Sequence, residues 1–329
     1  LGELAENDFR KIGNLILAPG ELVGSLSEEA AKDMKLQAGI AIGCSMIDAH
    51  AGALGLIGSQ SKELGKLDVN SKLVLIAGTS SCHMSITKDL LFATGVWGPY
   101  KNALINDFFL HEGGQSCSGI LIDHVLSTHP DYEKTKLLSD NIHEHLHGEI
   151  LNMAKAQNLK SYHELTKQFH IYPDFHGNRS PVADSTLRGM ICGLSMHDSI
   201  YVSYLAIIQA LAYSTKHIID SLYAAGREKF KAILICGGLS KNKLFVQTNA
   251  DICGIPMLIS SEVESVLLGA AMLGATASSF PKLLTTITEL SNEAFQIEPD
   301  KNSFDYHARK YRVFLKMLAD QQSYNDIMN

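Results

Sequence analysis

Short apolar runs punctuated by glycine alternate along this chain with stretches whose apolar residues recur at helical spacing, the pattern of an α/β protein. The clearest sheet signal is residues 73–87. There the run Leu73-Val74-Leu75-Ile76-Ala77, the hydroxyl-rich turn Gly78-Thr79-Ser80-Ser81 and an alternating segment that begins at Cys82 predict a β-hairpin. Residues 39–45, 232–236 and 257–260 read as further buried strands. Helices are predicted over 27–35, opened by a capping-box pattern of Ser25 and Glu28, and over 51–58, whose small residues suit close packing on a sheet. A long helix is predicted over 199–225, where Ile200, Tyr204, Ile207, Ile208, Leu211 and Ile218 form one apolar stripe. Residues 242–253, 265–278 and 304–322 complete the helices, and the polar, His-rich stretch 123–169 reads as surface helices and loops.

Three features of this pattern could carry chemistry. At Gly78-Thr79-Ser80 glycine lets the main chain approach an anion, and successive N–H groups with adjoining hydroxyls can form a phosphate nest; an ordinary β-turn is the plainer reading. Gly237-Gly238-Leu239-Ser240 leaves a strand and opens a helix, a geometry that favours phosphate, although a Gly-Gly turn needed only for packing looks the same. It matches neither G-x-x-x-x-G-K-[ST] nor G-x-G-x-x-G. Asp48 closes an apolar strand and precedes His50 and a small-residue run; it reads as a cleft carboxylate, with helix N-cap as the alternative. A rival signal is His143-Glu144-His145-Leu146-His147, which matches the H-E-x-x-H zinc-hydrolase pattern, with Glu164 as a distant third ligand. The chain has 14 histidines, and a solvated His-rich helix explains the match without metal.

Composition narrows the class. The 329 residues are 46% hydrophobic and 19% charged, enough for one large domain or two smaller ones. A net charge of −7 argues against a nucleic-acid binder. No apolar stretch is long enough to span a membrane. The six cysteines form no C-x-x-C pair and read as reduced, mostly buried thiols of a cytoplasmic protein. The chain does not open on methionine, which reads as part of something longer.

With these residues in view, the sequence resembles the FGGY carbohydrate kinases, relatives of the actin, hexokinase and Hsp70-like ATPases. The likeness lies in SMIDAHAGALG at 45–55, LIAGTSSCHM at 75–84, GVWGPY at 95–100, EGGQSCSG at 112–119, the stretch 173–194 containing FHGNRSP, CGGLSKNKLFVQTNADICGIPM at 236–257 and LLGAAMLGA at 267–275. The wording is closest to the ribulokinase-like branch. The resemblance implies a ribonuclease-H-like α/β domain that forms the C-terminal half of a two-domain kinase, acting on ATP with Mg²⁺ and a ketopentose such as D-ribulose. Asp48 would be the general base, Gly78, Thr79 and Ser80 the γ-phosphate loop, Gly237 and Gly238 the α-phosphate loop, and Asn242 a nucleotide contact. Residues 1–58 would be the end of the first domain and 59–329 the second, because no Asp-x-Gly-Thr-like phosphate strand of a first domain is present. The expectation is a chain that alone binds ATP weakly or not at all and turns over no sugar; a homodimer is compatible with the resemblance. A non-catalytic binding or regulatory module is the alternative, and a zinc hydrolase built on His143, Glu144 and His147 the more distant one.

Overall fold

The apolar run that begins at Leu73 lies at the centre of a seven-stranded mixed sheet. The computed structural model describes residues 2–328 apart from positions 12, 14, 197 and 281. Its strands are β1 (Leu22–Ser25), β2 (Ala41–Gly43), β3 (Lys72–Ala77), β4 (Ser81–Thr87), β5 (Trp97–Lys101), β6 (Phe109–Gln115), β7 (His170–Tyr172), β8 (Met190–Cys192), β9 (Ala232–Cys236), β10 (Met257–Ser260) and β11 (Ala294–Ile297). The helices are α1 (Gly2–Phe9), α2 (Glu28–Met34), α3 (Asp48–Ile57), α4 (Gly119–Ser127), α5 (Tyr132–Lys136), α6 (Ile142–Ala156), α7 (Ile200–Ala224), α8 (Lys243–Cys253), α9 (Ser265–Ser278), α10 (Leu283–Leu290) and α11 (Phe304–Met328).

The main sheet has the order β11-β10-β9-β3-β4-β6-β5. An antiparallel meander, β3-β4-β6, is extended on its other side by β9 and β10, which run parallel to β3. This is the ribonuclease-H-like arrangement expected from the sequence. Both faces are covered, so the inner strands read as continuous apolar runs rather than alternating ones. Leu73, Leu75 and Ala77 enter one core with α4, α6, α7 and α8, while Val74 and Ile76 pack into the other with α3, α9 and α10. Full burial of Leu73, Val74 and Leu75 contributes about 1.5–3 kcal/mol each.

Helix α7 follows the predicted stripe but is buried more widely, because Leu205, Ala206, Ala210, Ala212 and Tyr213 are also enclosed. The stretch 123–169 is less superficial than expected: Leu146, Ile150 and Ala154 pack one face of α6 inward, and His163 and Thr166 are buried beside it. Two local expectations are corrected. Ser27, not Ser25, caps α2, its side chain accepting from the Ala30 N–H. The strand expected over 39–45 shortens to β2, pairs with β1 in a separate two-stranded sheet, and leaves Ile40 and Ile42 exposed.

Helix α3 and α9 cross at backbone contact. A Cβ at Gly55 would stand 2.2 Å from the Ser265 carbonyl oxygen, and one at Gly269 only 1.9 Å from that of Ala51. Beneath α3, the fully buried Lys72 donates to the carbonyls of Ile57 and Ser59 at 2.9 and 2.8 Å, satisfying acceptors that the helix terminus leaves unpaired. Gly269→Ala should therefore destabilise the protein by roughly 1–3 kcal/mol. Gly274→Ala, on the same helix with nothing within 4 Å of the added methyl, should stabilise it by about 1 kcal/mol. Urea denaturation measures both; shifts of the same sign would show that helix propensity, not close approach, governs these positions.

Candidate active site

The register of α3 on β3 decides where Asp48 emerges. Lys72, at the start of β3, bonds the C-terminal end of α3, while Gly52 lies against Ile76 near the end of the strand, its Cβ position 3.2 Å from the Ile76 Cδ1. The helix thus runs antiparallel to the strand, and its N-terminus comes out at the end of the sheet where the Gly78-Thr79-Ser80 turn follows β3. Asp48 is the first residue of α3, exposed, with Oδ1 accepting the Ala49 N–H at 2.7 Å. The N-cap is Ile47, not Asp48. A carboxylate in the first turn is favoured by the helix dipole.

The turn itself is held from behind. Gly78 N–H donates to the Ser80 carbonyl at 2.9 Å, closing the turn. The Gly78 and Thr79 carbonyls accept from Gly119 and Ser118 N–H at 2.9 and 2.8 Å, so the start of α4 anchors the acceptor side. Among the described residues no acceptor takes the N–H of Thr79 or Ser80, and Thr79 is exposed. Two unpaired donors on a rigid turn form the kind of nest that receives an anion.

Gly237 brings the second loop against the first. Its φ of +88° is a glycine conformation, and a Cβ there would stand 2.4 Å from the Ala77 carbonyl oxygen. Gly238 is exposed with nothing within 4 Å of its Cβ position. The two candidate phosphate loops are therefore neighbours at the ends of adjacent parallel strands, with Asp48 emerging at the same end. Asn242 sits differently: it caps α8, Oδ1 accepting from Phe245 N–H at 3.1 Å and Nδ2 donating to the Tyr204 hydroxyl at 2.7 Å. It still lines a cleft of about 590 Å³ shared with Gly238.

Sequence reasoning assigned no role to several residues that build this end of the sheet. His50 Nε2–H donates to Glu112 Oε2 at 3.1 Å, and Arg179 Nη2 stands 3.6 Å from Glu112 Oε1 with its guanidinium 4.4 Å from the Trp97 ring centroid. The hydrogen bond from His50 holds the Glu112 carboxyl below its ordinary range against the opposing effect of burial. Gly114 leaves the space Arg179 occupies; a Cβ there would lie 2.8 Å from Nε. The recoverable signal was the EGGQS and FHGNRSP stretches, which contribute Glu112 and Arg179. His143, Glu144 and His147 lie on α6, and they line the same cleft as Gly238. Among the described residues no group of three His, Cys, Asp or Glu side chains converges on a possible metal position.

A mixed sheet of this order, with two N–H-bearing turns at one end, defines an actin/hexokinase/Hsp70-like ATPase domain. The fold matches that of gluconate kinase from Lactobacillus acidophilus with a TM-score of 0.75 at 17% identity, over 95% of this chain and 58% of that one. The sequence description of the FGGY family of carbohydrate kinases, C-terminal domain, matches residues 73–278. The chain belongs to this family. Over its whole length it is 44% identical to the FGGY carbohydrate kinase domain-containing protein of Homo sapiens, covering 61% of that relative. A D-ribulokinase of Saccharomyces cerevisiae is 34% identical over 84% of this chain and 42% of its own length. The chain thus spans about six tenths of the animal relatives it matches.

Behind the turn, Ser81 Oγ donates to Ser118 Oγ at 2.7 Å, Ser118 to Gln115 Oε1 at 3.0 Å, and Gln115 Nε2 to the Leu211 carbonyl at 2.8 Å. His83 joins this network through Thr215 at 3.0 Å. Burial, reinforced by the Arg179 charge, pushes the His83 pKa down from 6.5 to about 3. Its folded pKa being depressed, the contribution is complete above 6.5 and is lost as pH falls toward about 3. Between pH 6.5 and 5 the unfolding free energy should drop more steeply in the parent chain than in His83→Gln, by up to about 1.4 kcal/mol per pH unit. Denaturant titrations across that range would show it; parallel slopes would exclude His83 as the source.

Proposed function

We propose that this chain carries the nucleotide loops and the general base of an ATP-dependent kinase that phosphorylates a ketopentose, D-ribulose, to its 5-phosphate. The observation that carries this reading is the register of α3 on β3, by which Asp48 emerges at the sheet end that bears both glycine turns. The name of the Saccharomyces cerevisiae relative supports D-ribulose as substrate. The residues suit a nucleotide: Thr79 and Ser80 present unpaired N–H donors, and Gly238 offers an open backbone approach. Mg²⁺ usually binds through substrate phosphates, water and one or two carboxylates. Bound with ATP, the ion would neutralise charge on the transferring phosphate.

Phosphoryl transfer asks the protein mainly for positioning and charge stabilisation. In the proposed step the Asp48 carboxylate takes the proton of the attacking sugar hydroxyl as its oxygen bonds to the γ-phosphorus and the bond to the β-phosphate oxygen breaks, releasing ADP. Thr79 and Ser80 N–H groups hold the γ-phosphate oxygens, and the Gly237-Gly238 loop holds the phosphate nearer the base. The start of α4 and the Ser81-Ser118-Gln115 chain fix the turn, so these donors need no reorganisation during transfer. Sugar contacts are assigned largely to the portion of the relatives that this chain does not cover. The six cysteines are free thiols, which supports a reducing, cytoplasmic setting.

The test is ADP release from Mg-ATP with a panel of ketopentoses, for the 329-residue chain and for a version extended by an N-terminal kinase domain. The extended protein should phosphorylate D-ribulose, and Asp48→Asn should lower its kcat by about 10²–10⁴-fold while leaving ADP affinity unchanged. Turnover by the shorter chain would overturn the assignment of the sugar contacts. An extended protein that folds, binds ADP and phosphorylates no ketopentose would overturn the substrate reading.

A further inference from the structure

The cleft of about 590 Å³ beside Gly238 is bounded by Gly238, Leu239 and Asn242 on one side and by His143, His147 and Leu151 of α6 on the other. Its size suits a small-molecule moiety such as a nucleobase. Because Gly238 belongs both to the second phosphate loop and to this cleft, a nucleotide held at the loop would direct its base into the cleft. The H-E-x-x-H helix, with no metal assignment, is then the wall that meets the base.

The hydrogen bonds around His143 fix which proton that wall offers. Phe245 N–H donates to Asn242 Oδ1 at 3.1 Å, which fixes the orientation of the Asn242 amide and leaves its Nδ2 as the donor to the Tyr204 hydroxyl at 2.7 Å. Tyr204 is fully buried, and burial raises its pKa, so the phenol keeps its proton. That proton has one acceptor within reach among the described residues, Nδ1 of His143 at 3.0 Å. A neutral imidazole that accepts at Nδ1 carries its hydrogen on Nε2. Burial lowers the His143 pKa, which favours this neutral form. Nε2 takes no partner among the described residues, and His143 lines the cleft.

We propose that His143 is a specificity-determining residue that donates its Nε2–H to a ring-nitrogen acceptor of a bound purine nucleotide, with Tyr204 and Asn242 as positioning residues that hold the required tautomer. The assignment deepens the nucleotide-binding reading given above and rests on it. It uses the one part of the H-E-x-x-H pattern, its first histidine, whose ring is locked by the helix opposite. A neutral donor of fixed direction discriminates between bases in a way that a solvated, freely tautomerising histidine cannot.

The test is calorimetric titration of the full 329-residue chain with ADP and with its 1-deaza, 3-deaza and 7-deaza analogues, each lacking one ring acceptor. One analogue should bind about tenfold more weakly than ADP, the effect of one hydrogen bond, while the other two bind as ADP does. In His143→Phe that penalty should vanish, all four ligands binding alike. In Tyr204→Phe the penalty should shrink although the ring packing is kept, a change in ratio that a merely structural role would not produce. Equal binding of all analogues by the parent chain, or a penalty that survives in His143→Phe, would overturn this inference and leave the nucleotide reading standing. Failure of the parent chain to bind ADP at all would overturn both.

Discussion

The approach of Gly237 to the carbonyl of Ala77 is the constraint on which the rest of the site depends. Strands β3 and β9 are parallel neighbours, so the chain leaves both at the same end of the sheet. Whether the two exits form one site or two separate turns is decided by how closely they pass. A Cβ at Gly237 would meet the Ala77 oxygen at 2.4 Å, and the backbone takes a φ of +88° there. Glycine removes both obstacles at once, and two sets of backbone donors become adjacent. The same device recurs on one face of the sheet, where Gly55 and Gly269 let α3 and α9 touch at the main chain. That contact ties the helix bearing Asp48 to the sheet core, so the carboxylate is referenced to the same rigid body as the turns.

Rigidity behind the turn has a polar origin. Ser81, Ser118, Gln115, Thr215 and His83 form a buried chain of hydrogen bonds connecting β4, the start of α4, β6 and α7. Such a network stabilises through the pairs it completes, and His83 Nδ1 is left without a partner among the described residues. The network fixes Ser118, whose N–H holds the Thr79 carbonyl, while the Thr79 and Ser80 N–H groups have no acceptor among the described residues. Beside it, His50, Glu112, Arg179 and Trp97 join α3, β6, β5 and the loop that carries Arg179 through a hydrogen bond, an ion pair and a cation–π contact. Buried or half-buried charges are costly singly, and here each finds an opposite charge or an aromatic face.

Much of this was legible in the sequence because each feature leaves a local mark. The run beginning at Leu73 has no polar interruption because both faces of β3 are covered, and Asn242 begins α8 because its side chain satisfies the Phe245 N–H. What escaped is non-local. Strands β5, β6 and β11 carry glycine, proline, histidine or glutamine at positions where periodicity expects apolar residues. Glu112 and His50 become partners only when β6 and α3 meet across 62 positions of chain. The expected strand at 39–45 failed for a related reason: apolar composition predicts burial, but β2 has only β1 as a partner, and its isoleucine at position 42 faces outward.

The H-E-x-x-H match shows why spacing alone does not define a metal site. Two histidines four apart on a helix share a face, which gives two ligands, but the third ligand and the charge balance must come from elements packed opposite. Opposite α6 the chain places Gly238, Asn242 and Lys243. Burial and then the Lys243 charge depress the His147 pKa, with Glu144 opposing them. The ring that does have a fixed partner, His143, is bound through Nδ1 to a phenol rather than to a carboxylate, and burial lowers its pKa. The cleft wall thus combines the His143 ring, the Lys243 ammonium and the Glu144 carboxylate rather than a converging set of metal ligands. The histidine that opens the H-E-x-x-H match is the one proposed above to make the cleft selective.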